Sequence, residues 1–378
     1  MKDLSVIRKE IDELDNKIIP LLEERMDKSL DVAEYKKANN VPVLNVEREN
    51  QILCKMKEKS QKYGNEIAQI YEAIMQVSRE IQYEAIGLSD DLFYKLCNGS
   101  VDSLIADGGK VACQGVEGAY SATAADSFFG GADKLFFEHF SEAFDALANN
   151  KCKALVVPIE NSIAGSVNEV YDLISNHSFY INRALQLPIA HVLAAKKGTT
   201  LNDVKQVYSH PQALAQCNGF IANSNFMPCS YSNTALAAKM VSESDDSTIA
   251  CICSEDAATR FNLEIIARNI QNNNANTTRF VMISREFLES EDADTISISF
   301  SIPDEIGSLN KILNRFSTLG LNMTKIESRP IMTQNFKYIF YIDFNGNIRD
   351  KKIARFITSL EEEVKHFTFL GNYKEVLL

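Results

Sequence analysis

The chain has 378 residues, a length that suggests two to four domains. Hydrophobic residues make up 45% and charged residues 24%, the ordinary balance of a globular protein. The net charge of -12 argues against a general binder of nucleic acid or anionic membrane, because phosphate backbones need a basic face; a local cationic pocket for an anionic substrate stays open.

The N-terminus reads MKDLSVIRKEID, charged from the start and without the apolar stretch of a signal peptide. Leu4, Ile7, Ile11, Leu14, Ile18, Leu21 and Leu22 follow a helical period, and residues 1–88 are predicted to be all-helical. Pro20 lies inside the first helix, where it removes a hydrogen bond and a kink is expected. Asn39-Asn40-Val41-Pro42 marks a break, a second helix begins near Asn45, and a third runs from about Asn65 to Ile86 before Gly87. Residues 90–108 read as a linker with a short helix. From Lys110 short apolar strands alternate with amphipathic helices, with strands predicted at 110–114, 154–158, 189–195, 205–208, 248–253 and 279–284. The stretch 110–285 has room for two α/β lobes. Cys251 and Cys253 sit in the apolar alternation ACICS; the eight cysteines show no pairing rhythm, so buried, reduced thiols are expected. An acidic run from Glu286 to Asp294 precedes a βαββαβ pattern. It comprises strand 295–302, helix 306–319, strands 321–331 and 336–346, helix 350–363 and strand 365–371, the ferredoxin-like α+β arrangement. The five histidines lack metal-ligand spacing, and the apolar runs are far shorter than the ~20 residues that span a bilayer. A reducing cytoplasm, no metal and no cofactor are expected.

In the helical segment, Arg25 and Lys36 are eleven residues apart, close to three turns, and share a face. Ser78 and Gln82 share a face at i, i+4. Arg48 and Glu49 open the second helix. With Arg8 and Asn45, this set resembles the all-helical chorismate mutase family over residues 4–86. The resemblance implies that Arg8, Arg25 and Arg48 hold the two carboxylates of chorismate. Lys36 and Gln82 would donate to the ether oxygen, Glu49 take the C4 hydroxyl, and Ser78 support a carboxylate. Asn45 stands where the family usually has Asp, and an amide can still bond a hydroxyl. The rearrangement is pericyclic, so rate comes from holding the reactive conformer and from donors aimed at developing charge. Arg8 and Arg25 are seventeen residues apart on one helix, roughly 25 Å, and cannot meet in one small pocket in cis. Arg8 must enter a partner's site, as the family's interlocked dimer implies, and an obligate dimer is expected.

Three central segments place polar residues where strands end. VACQGVEGAYS at 111–121 runs from a strand through a glycine turn into a helix, a natural anion site. VVPIENSIAGSV at 156–167 puts Glu160, Asn161 and Ser162 at the carboxyl end of a strand, where open α/β sheets bind ligands. YSHPQALAQC at 208–217 puts Ser209, His210 and Gln212 at a helix start, and NTTRF at 276–280 precedes an apolar strand. In this order they closely resemble the prephenate dehydratase family over about 110–285, whose active site lies in a cleft between two α/β lobes. The resemblance places Thr278 beside the leaving hydroxyl as proton donor or relay. Asn161, Ser162, Ser209 and Gln216 would supply hydrogen bonds, with Gln212 counted among the substrate-binding residues. Arg279 would bind carboxylate or form a structural ion pair. His210 would be a general acid or a helix-capping or core histidine, and Glu160 would orient its loop. The GVEGAYS form is similar to plant-type arogenate dehydratases, which leaves prephenate or its amino analogue as substrate; the fused mutase makes prephenate the favoured one.

DEIGSLNKIL at 304–313 and LNMTKIESRP at 321–330 resemble an ACT regulatory domain of the phenylalanine-binding kind. Candidate effector contacts are Gly307, Ser308, Leu309 and Asn322, with Glu327, Ser328 and Arg329 of the ESRP segment. The expected architecture is multidomain: an all-α chorismate mutase at 1–89, a two-lobed α/β, periplasmic-binding-protein-like prephenate dehydratase at 108–286, and an α+β ferredoxin-like ACT domain at 294–378. Such a chain would take chorismate to prephenate and prephenate to phenylpyruvate under feedback by L-phenylalanine. It would be a homodimer or dimer of dimers, without nucleic-acid or membrane partners. The alternatives are a monofunctional prephenate or arogenate dehydratase with a non-catalytic helical dimerisation domain, and a two-lobed ligand carrier without chemistry.

Overall fold

The computed structural model describes residues 3–87, 97–106, 109–273, 275–331 and 338–378. The chain groups into two compact units. One comprises 1–96, 299–342 and 346–367; the other comprises 97–298, 343–345 and 368–378.

The first unit opens with α1 (Leu4–Asn39), α2 (Val46–Lys59) and α3 (Gly64–Ile86). Asp3 caps α1 by accepting the Ser5 N–H at 2.8 Å, and the helix ends where Asn40 turns left-handed at φ 55°. Asn45 caps α2 by accepting the Arg48 N–H at 2.9 Å. Glu47 and Glu49 in its first turn and Lys57 and Lys59 in its last complement the helix dipole. Gly87 ends α3 at φ 78°, as its position predicts. α1 continues through Pro20 as one 36-residue helix. The buried residues of α1 are Ser29 and Ala33. Of its apolar positions, Leu4, Ile7, Ile11, Leu14, Ile18 and Leu21 are exposed, while Leu22 is half-buried.

The C-terminal segment has the predicted βαββαβ order: strand Thr295–Ser301, helix Ser308–Leu319, strands Met323–Pro330 and Tyr338–Asn345, helix Lys351–Glu363, and strand Lys365–Leu377. The strands lie in the order Met323–Pro330, Tyr338–Asn345, Thr295–Ser301, Lys365–Leu377, which is the ferredoxin-like order. The expected single domain at 294–378 is nonetheless divided between the two units. In the first, its helices are tied to α3 by Lys311–Glu72 at 2.7 Å, Arg315–Glu80 at 2.6 Å and Arg355–Glu84 at 3.0 Å. In the second, Lys374–Leu377 pair in parallel with Arg183–Gln186.

The second unit has two main sheets, besides a parallel pair of short strands, Cys97–Ser100 and Phe287–Glu289. The larger runs Lys365–Leu377, Tyr180–Pro188, Thr277–Ser284, Ala154–Asn161, Val111–Gln114, Lys134–Phe137. The smaller runs Glu264–Ala267, Val192–Ala195, Ile249–Cys253, Gln206–Ser209, Met227–Ser230. The expected strand at 189–195 is shorter, Val192–Ala195, and it follows a longer strand that was not expected. Tyr180–Pro188 pairs with Thr277–Ser284 in the larger sheet, and after Ile189-Ala190-His191 the chain enters the smaller one as Val192–Ala195. The sheets meet closely at the GVEGAYS turn. Gly118 has φ 85°, and a Cβ there would lie 3.1 Å from Ala257 Cα, so this approach requires glycine. Ser254 Oγ donates to Gly118 O at 3.1 Å and Thr123 Oγ1 to Asp256 at 2.8 Å across the same seam.

All eight cysteines are free thiols; Cys113, Cys152, Cys217, Cys251 and Cys253 are buried, whereas Cys54 is exposed. Among the described residues no helix is long and apolar enough to cross a membrane.

Candidate active sites

A cavity of about 380 Å³ opens among α1, α2 and α3. Arg25, Lys36, Asn45, Arg48, Glu49, Ser78 and Gln82 all line it, so seven of the eight residues picked from the helical segment converge. Arg25 donates to Ser78 Oγ. Lys36 Nζ donates to Gln82 Oε1 at 3.0 Å and to Val43 O. Burial pushes the Lys36 ammonium below the usual lysine range. Lys28 and Arg79 add two cations, so five cations face one carboxylate, Glu49. A dicarboxylate fits this charge. Arg8 is exposed on α1 and does not line the pocket. Arg79 was not singled out by sequence reasoning; it binds both oxygens of Glu49 at 2.5 and 2.6 Å. Its position three residues before Gln82, on the same helical face, is the signal that was available.

A cavity of about 320 Å³ lies between the two sheets of the second unit. Thr278, Asn161, His210, Gln212 and Gln216 line it. Asn161 is locked by an Asx turn: its Oδ1 accepts from Ile163 N and Ala164 N, which aims Nδ2 at Thr278 Oγ1, 2.9 Å away. A hydroxyl that accepts in this way keeps its own proton to donate. His210 is the N-cap of helix Pro211–Gln216, with Nδ1 accepting from Gln212 N at 3.2 Å, and burial lowers its pKa. The capping role is therefore real, and in the neutral ring it puts the proton on Nε2.

Four candidates do not line this cavity. Ser209 is fully buried and donates to Ile252 O at 2.6 Å, because it faces into the smaller sheet. Ser162 accepts from Thr277 N at 3.0 Å and ties its loop to strand Thr277–Ser284. Arg279 pairs with Asp343 at 2.7 Å and Glu375 at 2.9 Å, and donates to Tyr373 Oη at 2.8 Å, which makes it a structural ion pair. Glu160 lies 3.8 Å from the same guanidinium.

Ser121 and Asn276, which belong to the GVEGAYS and NTTRF segments but are not among the candidate residues, also line the cavity, as does His191, which lies outside every segment. His191 is 2% exposed, its pKa is lowered by burial, and its Nε2 lies 2.9 Å from Gln216 Oε1. His191 Nδ1 and Asn276 Nδ2 are buried polar atoms without a hydrogen-bond partner among the described residues, which marks both for a ligand. The signal for His191 was its place just after Pro188, where the chain changes sheets. Among the described residues the lining contains no Asp, Glu, Lys or Arg.

Gly307, Ser308 and Leu309 line a third cavity of about 380 Å³ with Ile302, Tyr338 and Phe340. Gly307 has φ 85° at the helix N-cap. Asn322, Glu327, Ser328 and Arg329 do not line it. Glu327 lies 3.4 Å from Lys325, and the Arg329 guanidinium sits 5.9 Å from the Tyr341 ring centre.

A model of the chorismate mutase type II family matches residues 7–83, and a prephenate dehydratase family model matches 111–287. A bifunctional chorismate mutase/prephenate dehydratase from Aquifex aeolicus is 31% identical over 100% of this chain and 99% of its own. Arogenate dehydratase/prephenate dehydratase 2 from Arabidopsis thaliana is 35% identical over 70% of this chain and 72% of its own. The crystal structure of prephenate dehydratase in complex with L-Phe from Arthrobacter aurescens aligns with a TM-score of 0.64 at 30% identity, over 70% of this chain and 89% of that one.

Proposed function

Since the chain belongs to the family of bifunctional chorismate mutase/prephenate dehydratases, we infer that it converts chorismate to prephenate and prephenate to phenylpyruvate in phenylalanine biosynthesis, under control by phenylalanine. The observation that carries the mutase half is the convergence of Arg25, Lys36, Arg48, Glu49, Ser78 and Gln82 in one cationic pocket. It favours a working mutase over a helical scaffold. Arg25 and Arg48 would hold the carboxylates, with Ser78 steadying Arg25. Lys36 and Gln82 would face the ether oxygen as its C–O bond breaks and charge develops there. Glu49 would take the C4 hydroxyl, beside Asn45. Arg8 would come from a partner chain, and the exposed apolar row on α1 supports a dimer.

In the dehydratase, the bond to the ring carboxylate breaks and its electron pair enters the ring, releasing CO₂. The C4–O bond breaks in step, and the hydroxyl leaves as water with one proton. Thr278 would deliver that proton, its donor direction set by Asn161, with His210 Nε2 as a neighbouring source. The first turn of helix Tyr120–Phe129, with Ser121 and Asn276, would hold the side-chain carboxylate. Apolar walls at Pro158, Ile189 and Phe280 leave the ring carboxylate poorly solvated, which favours its loss. Prephenate is favoured over its amino analogue because the helical segment of the same chain would make it. The segment 294–378 reads as an ACT domain on its strand order, with phenylalanine near Gly307, Ser308 and Leu309. Free thiols at all eight cysteines support a cytoplasmic location.

The test is a coupled assay in which the whole protein is given chorismate and phenylpyruvate is followed, with and without phenylalanine. Product that falls when phenylalanine is added is expected. Product from supplied prephenate but none from chorismate would reduce the helical segment to a scaffold.

A further inference from the structure

Glu49 and Arg79 line two cavities. Besides the mutase pocket, both face a space of about 210 Å³ walled by α2, α3 and helix Ser308–Leu319. There Arg79 Nε lies 3.4 Å from Glu363 Oε1, at the end of helix Lys351–Glu363. Glu363 Oε2 lies 3.1 Å from Arg315 Nη1. Arg315, 2% exposed, donates to Glu80 at 2.6 Å and to Ser359 Oγ. Five side chains thus alternate in sign: Glu49, Arg79, Glu363, Arg315, Glu80. The guanidinium is a rigid fork. Its Nη1 holds both oxygens of Glu49 while its Nε edge faces Glu363, so a shift at one carboxylate is felt at the other.

We propose that Arg79 is a positioning residue of the mutase, holding Glu49 toward the C4 hydroxyl, and that its pairing with Glu363 makes this hold depend on helix Lys351–Glu363. The proposal rests on the mutase reading above. It gives the C-terminal segment a physical route to the mutase. The pocket at Gly307–Leu309 opens on the N-terminus of the helix that carries Arg315, and Arg315 holds Glu363.

Lys36 supplies a readout. It carries its charge, which strengthens its hydrogen bond to the developing negative charge, only while protonated, so mutase activity falls as pH rises through its pKa. Burial lowers that pKa, Glu49 raises it and Arg79 lowers it. The charged groups around it in the pocket are Arg25 and Lys28 from α1, Arg48 and Glu49 from α2, and Arg79 from α3. Removing Arg79 moves the alkaline limb up. Neutralising Glu363 removes an anion that offsets Arg79 and moves the limb down.

The experiment makes Arg79→Gln, Arg79→Lys and Glu363→Gln in the full chain and follows chorismate loss across pH. Far-ultraviolet circular dichroism and an unchanged thermal transition show that each variant is folded. Arg79→Gln is expected to lower mutase kcat/KM by about ten- to hundredfold and to raise the alkaline limb. Arg79→Lys restores the limb and part of the rate, and Glu363→Gln shifts the limb the opposite way. Unchanged kcat/KM and an unmoved limb in Arg79→Gln, or an unmoved limb in Glu363→Gln should Arg79→Gln not fold, overturn the proposal and leave the mutase reading standing. A wild-type chain without mutase activity would overturn that reading instead.

Discussion

Thr278 and Arg279 are neighbours on strand Thr277–Ser284 and face opposite ways. Side chains alternate along a strand, so Thr278 and Phe280 share the cavity face and Arg279 must take the other. The motif leaves Arg279 open between substrate carboxylate and ion pair; the period of two decides it, because Thr278 in the cleft turns Arg279 out of it. Ser209 and Ser162 were not legible in the same way. Their motif identifies the loop, but whether a hydroxyl meets substrate or a backbone atom depends on Ile252 O and Thr277 N, contributed from distant positions. The Arg279 assignment has a direct test. Asp343 is nearly buried and also accepts from Ser297, so losing the guanidinium strands a buried carboxylate. Arg279→Met is expected to cost about 3–5 kcal/mol of stability, read as a fall in Tm. KM for prephenate should change little at a temperature where the variant is folded. A large rise in KM with Tm unchanged would return Arg279 to the substrate.

At the scale of elements, helical periodicity and caps located α1, α2 and α3, because Asn45 and Gly87 act locally and need no tertiary context. Strand Tyr180–Pro188 was missed. It sits inside the larger sheet, yet its sequence YINRALQLP carries Asn182, Arg183 and Gln186, whose partners come from elsewhere. Asn182 bonds Ser284, Arg183 pairs with Asp292, and Gln186 bonds Glu375. Polar residues satisfied by distant partners hide a strand from any local pattern. α1 poses the reverse case. Its pattern is clear, and the structure leaves Leu4, Ile7, Ile11, Leu14, Ile18 and Leu21 exposed at alternating spacings of three and four. That is the spacing of a coiled-coil seam, which needs a second helix. Ile11→Lys with Ile18→Lys is expected to convert a dimer to a monomer in sedimentation. Because Arg8 would then leave its partner's site, mutase activity should fall with it. A double variant that stays dimeric and fully active as a mutase would place the interface elsewhere.

At the scale of the molecule, the texture of the sequence changes near residue 108 and again at 294, whereas the structure groups residues 299–342 and 346–367 with the helical segment. Composition marks where a chain changes character; it cannot mark ion pairs such as Lys311–Glu72 or strand pairing such as Val376 with Leu185, which decide what packs as one body. The two candidate active sites are each built within one unit, from residues 25–82 and from residues 114–280. Neither pocket borrows a described residue from the other, so each step should survive loss of the other. Thr278→Val removes the donor and should slow dehydration by about 10²–10⁴-fold, letting prephenate accumulate from chorismate. Lys36→Met should abolish prephenate formation while turning over supplied prephenate normally. Mixed in equal amounts, the two variants should make phenylpyruvate from chorismate after a lag, as prephenate leaves one chain and enters another. If Thr278→Val instead stops after consuming about one equivalent of chorismate and the mixture makes no phenylpyruvate, prephenate stays on the chain that made it and the independence of the two pockets is overturned.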